Sequence, residues 1–149
     1  MTREEKCKLA IEKGYTYNPE TGIVIGPSGK EITGKKEGYN IIQIYLNNKK
    51  YSLYVHQFAW YMVNKECVDC IDHINGLKDD NRISNLRSVT HKQNHMNRTT
   101  AKGYCWNKIA NKWQAEIVLN YKNIHLGRFD KEEDARAAYL KAKEKYHII

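Results

Sequence analysis

The apolar and polar positions divide the chain into short elements. Thr2 and Glu5 stand three apart ahead of Cys7, Ala10 and Ile11, which share a helical face, and Gly14 follows as a stop. That pattern predicts a short N-terminal helix opened by a capping box, in which hydroxyl and carboxylate cover orphan amides. Tyr15-Thr16-Tyr17 and Ile23-Val24-Ile25 are β-rich and flank the turn Asn18-Pro19-Glu20-Thr21-Gly22; Gly26-Pro27-Ser28-Gly29 marks another turn. Residues 39–46 and 49–55 are two β-rich runs joined at Asn47-Asn48, which tolerate positive φ in a tight hairpin. Residues 56–64 then read as a helix with Phe58, Ala59 and Met62 as its buried stripe.

Beyond residue 70 the text becomes polar. Asp72-His73-Ile74-Asn75-Gly76, Lys78-Asp79-Asp80-Asn81-Arg82 and Ser84-Asn85-Leu86-Arg87 follow one another. Two short strands near 70–73 and 86–90 around a loop, then a helix over 91–97, are expected. Thr99 to Gly103 reads as a linker. The last part offers three strands at 104–106, 112–119 and 123–126, with turns at 107–111 and 120–122. Asp130 is the expected N-cap of a final helix with Glu132 and Glu133 in its first turn. Ala135, Ala138, Tyr139, Ala142 and Tyr146 recur at i, i+3, i+4 spacing and predict the face laid on that sheet. The fold class is therefore α+β, with an N-terminal β-rich segment, a central ββα motif and a C-terminal three-stranded antiparallel sheet on one helix. The expected division is 1–55, 56–98, a linker at 99–102, and 103–149.

Composition narrows the function. The 149 residues carry 25 Lys+Arg against 17 Asp+Glu, a formal net charge of +8. No apolar run approaches the roughly 20 residues of a membrane span. The charged Met1-Thr2-Arg3-Glu4-Glu5 start does not read as a secretory signal, and with four scattered cysteines a reducing cytoplasm is expected. The basic excess is spread except from Arg87 to Lys112, where six basic residues occur with no acidic one. Such a run suits a polyanion. On charge alone, a solvated face accounts for it equally well.

Asp72 and His73 carry the chemistry. Successive strand residues point to opposite faces, so one can hold a metal while its neighbour addresses substrate. Asn94, on the helix after the second strand, is a second oxygen donor. A carboxylate plus an amide oxygen makes a poor zinc site but an open one for Mg²⁺, which keeps waters and takes phosphate oxygens. A neutral imidazole near its intrinsic pKa can deprotonate water for attack on phosphorus. Cys67-Val68-Asp69-Cys70 has zinc-knuckle spacing, but a closed site needs four ligands and there is no second pair. Ordinary thiols are the reading. His56 is read as a capping or packing residue, His91 as exposed, and Tyr39, Tyr45, Tyr51, Tyr54 and Trp60 as packing residues.

The ordered set Asp72-His73-Ile74-Asn75-Gly76, Asn85-Leu86-Arg87 and Asn94 resembles the HNH endonucleases of the ββα-metal class, in their phage and intron-encoded homing branch. His73 to Asn85 is 12 positions and Asn85 to Asn94 is 9. The resemblance implies His73 as general base, Asp72 and Asn94 as ligands of one divalent metal (Mg²⁺ or Mn²⁺), and Asn85 as the residue tying the loop and orienting His73. It implies Arg87 on a phosphate. The helical position that is His in many HNH enzymes is Asn94 here. Residues 103–147 resemble the APETALA2/ethylene-response-factor-like DNA-binding domain through Gly103-Tyr104, the segment Lys112-Trp113-Gln114-Ala115-Glu116-Ile117, Leu126-Gly127-Arg128-Phe129-Asp130, and the helix Glu133 to Tyr139. That resemblance implies Trp106, Lys108, Lys112, Gln114, Glu116, Asn123 and His125 on or near double-stranded DNA. It implies Trp113, Ile117, Leu126, Phe129, Ala135 and Tyr139 in the core. Trp106, Val118 and Asn123 replace arginines that read guanines in the plant pattern, so sequence preference does not transfer. The combined reading is a metal-dependent DNA endonuclease leaving 5′-phosphate and 3′-hydroxyl ends. The alternative is a DNA-binding regulator with a degenerate nuclease fold. One site nicks; a double-strand break requires a homodimer or two successive cuts.

Overall fold

The computed structural model describes residues 1–97, 101–119 and 122–147. The chain forms two compact units, Met1–Asn94 and His95–Ile149. Both are α+β. Thr99 and Thr100 of the expected linker, and Asn120 and Tyr121 of the last expected turn, lie outside the described residues.

In the first unit, α1 (Arg3–Glu12) is opened by the expected capping box: Glu5 N donates to Thr2 Oγ1 at 3.2 Å and Thr2 N to Glu5 Oε2 at 2.6 Å. Its buried residues are Cys7, Leu9 and Ala10, whereas Ile11, expected on that face, is exposed. Two-residue strands β1 (Thr16–Tyr17) and β2 (Val24–Ile25) pair antiparallel around the Asn18–Gly22 turn. A second sheet contains β3 (Lys35–Lys36), β4 (Tyr39–Leu46) and β5 (Lys49–Tyr54) in chain order. Asn47 and Asn48 take φ of 52° and 60°, as the hairpin between β4 and β5 requires.

β5 runs directly into α2 (Val55–Asn64), one residue earlier than the apolar pattern predicts. Val55, Phe58, Ala59 and Tyr61 are buried; Met62 is only partly so. Val55, Phe58 and Tyr61 close one core with Cys7, Leu9 and Ala10 of α1, Val24, and Ile42, Ile44 and Leu53 of the sheet. Burying a side chain of this size contributes about 1.5–3 kcal/mol, so the first 64 residues fold around a shared apolar centre.

On this base sits an antiparallel pair, β6 (Cys70–His73) and β7 (Leu86–Val89), with a 3₁₀ turn at Ile83–Asn85 before β7 and α3 (His91–Met96) after it. Thr90 and Gln93 form a reciprocal box at the start of α3, Gln93 N to Thr90 Oγ1 at 3.2 Å and Thr90 N to Gln93 Oε1 at 2.9 Å.

The Asn18–Gly22 turn braces the loop between β6 and β7. Tyr17 Oη donates to Asn81 O at 2.7 Å, and Ile83 N to Pro19 O at 3.1 Å. Gly22 has φ +74°, and a Cβ there would lie 2.5 Å from Arg82 N and 2.6 Å from Asn81 C. Gly22→Ala is expected to destabilise this unit by about 2 kcal/mol or more, since the left-handed conformation and the close backbone both oppose a side chain. Urea melts check it; an unchanged midpoint would contradict this bracing.

The second unit is a three-stranded antiparallel sheet with β9 in the centre: β8 (Tyr104–Asn107), β9 (Lys112–Leu119) and β10 (Lys122–Phe129). Helix α4 (Glu132–Tyr146) packs on it through Ala135, Tyr139 and Ala142, against Ile117. Its N-cap is Lys131, not Asp130, and makes no side-chain cap bond; Asp130 instead pairs with Lys112 at 3.3 Å. Tyr146 is exposed, because it lies at the last turn of α4. Trp113, Leu126 and Phe129 are only partly buried, since one 15-residue helix covers a limited part of the sheet. Among the described residues no helix is long and apolar enough to cross a membrane.

Candidate active site

The β6–β7 pair sets Asp72 opposite Arg87 and His73 opposite Leu86. The two neighbours on β6 therefore face opposite ways. Arg87 Nε and Nη2 both donate to Asp72 Oδ2, at 2.9 and 2.7 Å. The pair is partly buried, so salt screens it less than it would a surface bridge. Arg87, implied on a phosphate, meets Asp72 here.

His73 is buried, and its Nε2 lies 3.2 Å from Asn81 Oδ1. Asn81 is itself buried and donates through Nδ2 to Asp79 O at 3.3 Å. The amide oxygen thus faces the imidazole. An amide oxygen only accepts, so Nε2 is the donor of this bond, and in the neutral ring Nδ1 then carries the lone pair. Asn81 was absent from the candidates read from sequence, where it is one of several asparagines in a polar loop.

Asn85 bonds across the loop between β6 and β7. Its Oδ1 accepts from Asn75 N at 3.0 Å, and its Nδ2 donates to Asn75 Oδ1 at 3.0 Å and to Asp80 O at 2.8 Å. The residue hydrogen-bonded to the His73 imidazole is Asn81, eight positions downstream of it. Asp80 is gripped by Arg82 (2.8 and 2.6 Å) and by Asn75 Nδ2 (2.7 Å). The Arg82 hydrogen bonds hold its carboxyl at about 2, below the usual range. Lys35 pairs with Asp79 at 2.7 Å, and Lys78 Nζ donates to the Glu37 carbonyl at 3.1 Å, so the β3–β4 tip is fastened to the same loop.

Rings of the sheet and of α2 pack on His73. His56 and His73 meet edge to face with centroids 5.3 Å apart, and Tyr39 lies 5.9 Å from His73. Tyr54 stacks on His56 at 5.5 Å. Burial foremost, then His73 and Arg3, push the His56 imidazole down to about 3, so it is neutral at pH 7.

Asp72 and Asn94 offer one carboxylate and one amide oxygen. Asn94 is exposed on α3. Among the described residues no group of three His, Cys, Asp or Glu is placed to enclose a metal ion. The donor chemistry fits a hard divalent cation that completes its shell with water and phosphate oxygens. Cys7 is buried, Cys67 and Cys105 are exposed, and all four cysteines are free. Burial pushes the Cys7 thiol up to about 12. His91 and His95 are exposed.

In the second unit the register sorts the implied DNA contacts. Gln114 pairs with Cys105 and Arg128, Glu116 with His125, Val118 with Asn123, and Lys112 with Asn107. These share the sheet face turned away from α4. Gln114 ties the face laterally: its Oε1 accepts from Asn107 Nδ2 at 2.8 Å and Arg128 Nε at 3.3 Å, and its Nε2 donates to Glu116. Trp106 pairs with Trp113, the rings 5.1 Å apart, and so lies on the α4 side. Lys108 is exposed in the β8–β9 turn.

No curated protein matches the chain. A solved structure described as "DNA binding and cleavage by the HNH homing endonuclease I-HmuI" is 31% identical over a region covering 56% of this chain and 50% of that one, with a TM-score of 0.46. The chain thus spans about half the length of that protein. Residues 53–96, the stretch that holds Asp72, His73, Asn81, Asn85, Arg87 and Asn94, match the family model for HNH endonucleases.

Proposed function

We propose that the protein is a metal-dependent DNA endonuclease with His73 as its general base. The observation that supports this most is the buried His73–Asn81 pair beside Asp72, inside the stretch matching the HNH family. Asn81 holds the proton on Nε2, so Nδ1 takes the proton of a water attacking phosphorus. Asn85 keeps the loop closed around that geometry. Asp72 and Asn94 would hold one Mg²⁺ or Mn²⁺, which when bound offsets phosphate charge and stabilises the leaving 3′ oxygen. The products are a 5′-phosphate and a 3′-hydroxyl.

The second unit is proposed as the grip on double-stranded DNA, an APETALA2-like sheet presenting Lys112, Gln114, Glu116, Asn123 and His125, with Lys108 at the adjoining turn. Trp106 is left out of that surface by its register. Lys108→Ala and Lys112→Ala are each expected to flatten the dependence of log K on log salt by about 0.9. Unchanged slopes would place both lysines in solvent.

The test is to incubate supercoiled and end-labelled DNA with a divalent-metal series and map the ends. Metal-dependent cleavage with 5′-phosphate ends supports the reading. Retention of DNA without cutting in any metal overturns it in favour of a DNA-binding regulator.

A further inference from the structure

Three rings from three elements gather beside the candidate base, His73. Tyr39 opens β4, Tyr54 ends β5, His56 lies in the first turn of α2, and His73 ends β6. Tyr39 is 5.3 Å from His56 and 5.7 Å from Tyr54, and both Tyr39 and His56 reach His73. The interplanar angle to His73 is 77° for His56 and 42° for Tyr39, so the imidazole meets two differently inclined walls. Lys78 Nζ lies 4.7 Å from the Tyr39 centroid and holds the Glu37 carbonyl next to it. Tyr39 is thereby fastened to the same loop that carries Asn81.

We propose that His56 and Tyr39 are positioning residues, whose rings hold the His73 imidazole against Asn81 and aim its Nδ1. The physical need is plain. One hydrogen bond to Nε2 leaves the ring free to swing about that bond. Two walls at different inclinations remove the swing. Proton transfer depends steeply on such placement: a misplacement of about 1 Å costs on the order of a hundredfold in rate. The β-rich N-terminal part then serves the chemistry directly, as the back wall of the base. This inference rests on the endonuclease reading.

The test uses the full chain, supercoiled plasmid and Mn²⁺ under single-turnover conditions. Maximal rate and half-saturating protein concentration are read separately, with a thermal melt for each variant. His56→Ala is expected to lower the maximal rate by about 10- to 100-fold while leaving half-saturation unchanged. His56→Phe, which keeps a flat ring, restores the rate to near parental. Tyr39→Leu falls like His56→Ala. If His56→Ala does not fold, His56→Leu, which fills the space without a ring, is read in its place. Long-range ¹H–¹⁵N imidazole spectra supply a readout that needs no cleavage. The parent shows His73 as a single Nε2–H tautomer, the alanine variant a mixture, and the phenylalanine variant a single tautomer again.

A folded His56→Ala that cuts at the parental rate overturns the inference. So does a rate that falls only with the folded fraction, or a His73 tautomer unchanged in the alanine variant. The control is His73→Ala. Parental cutting by that variant sinks the endonuclease mechanism, and the imidazole spectra then decide the ring geometry alone. Loss of cutting there with full activity in His56→Ala sinks only the positioning role.

Discussion

His73→Ala is expected to slow plasmid cleavage by about a hundredfold to ten-thousandfold, the range a positioned general base supplies, with DNA binding little changed. His73 ends a strand whose other residues are held by pairing with β7, and its Nε2 is held by the buried Asn81. Alanine there removes the proton acceptor without adding a charge or breaking a backbone bond. The variant leaves a small cavity and one unpaired Asn81 oxygen, a cost of about 1–3 kcal/mol in stability. The measurement is therefore a single-turnover rate on protein whose melt has been recorded. Cleavage as fast as the parent would sink His73 as the base. A loss matched by lost DNA retention would make it a binding residue instead.

The second large effect is a loss of stability in mild acid, caused by His56. Its folded pKa lies at about 3 against an ordinary 6.5, because burial and the neighbouring His73 and Arg3 disfavour the imidazolium. The unfolded chain binds the proton more readily than the folded one, so acid favours unfolding. Stability from this residue is complete above 6.5 and is lost as pH falls from 6.5 toward 3, at about 1.4 kcal/mol per pH unit. At pH 5 the deficit is about 2 kcal/mol, a fall in melting temperature of roughly 10 °C for a unit of this size. His56→Phe has nothing to protonate and is expected to lose that much less between pH 7 and pH 5. Melts of parent and variant at both pH values check this. Equal falls would mean that His56 takes up its proton without unfolding.

Much of the site was legible because its signals are local. Asp72-His73, Asn85-Leu86-Arg87 and Asn94 keep their order and spacing whatever the rest does, and β6 and β7 lie where the pattern predicts. Capping residues and turn asparagines likewise act within three or four positions. Asn81, His56 and Tyr39 were not legible as site residues. Asn81 is one amide in a loop rich in them; its backbone is braced by Tyr17 and its amide nitrogen is held by Asp79 O, which leaves its oxygen facing His73. His56 and Tyr39 are 17 and 34 positions from His73, and nothing in their spacing announces a meeting.

In the second unit the strands and helix followed from alternation and i, i+3, i+4 spacing, but the side of the sheet taken by Trp106 did not. That depends on the register Trp106–Trp113, which a one-residue slip would reverse.

The amino-acid sequence by itself determined the elements, the order of the Asp-His, Asn and Asn signals, and the basic excess, all properties of neighbouring residues. Only the tertiary structure decided which oxygen holds His73, that Arg87 meets Asp72, and that the N-terminal sheet walls the candidate base. Those contacts join residues distant in the chain, and packing of the shared core and strand register bring them together.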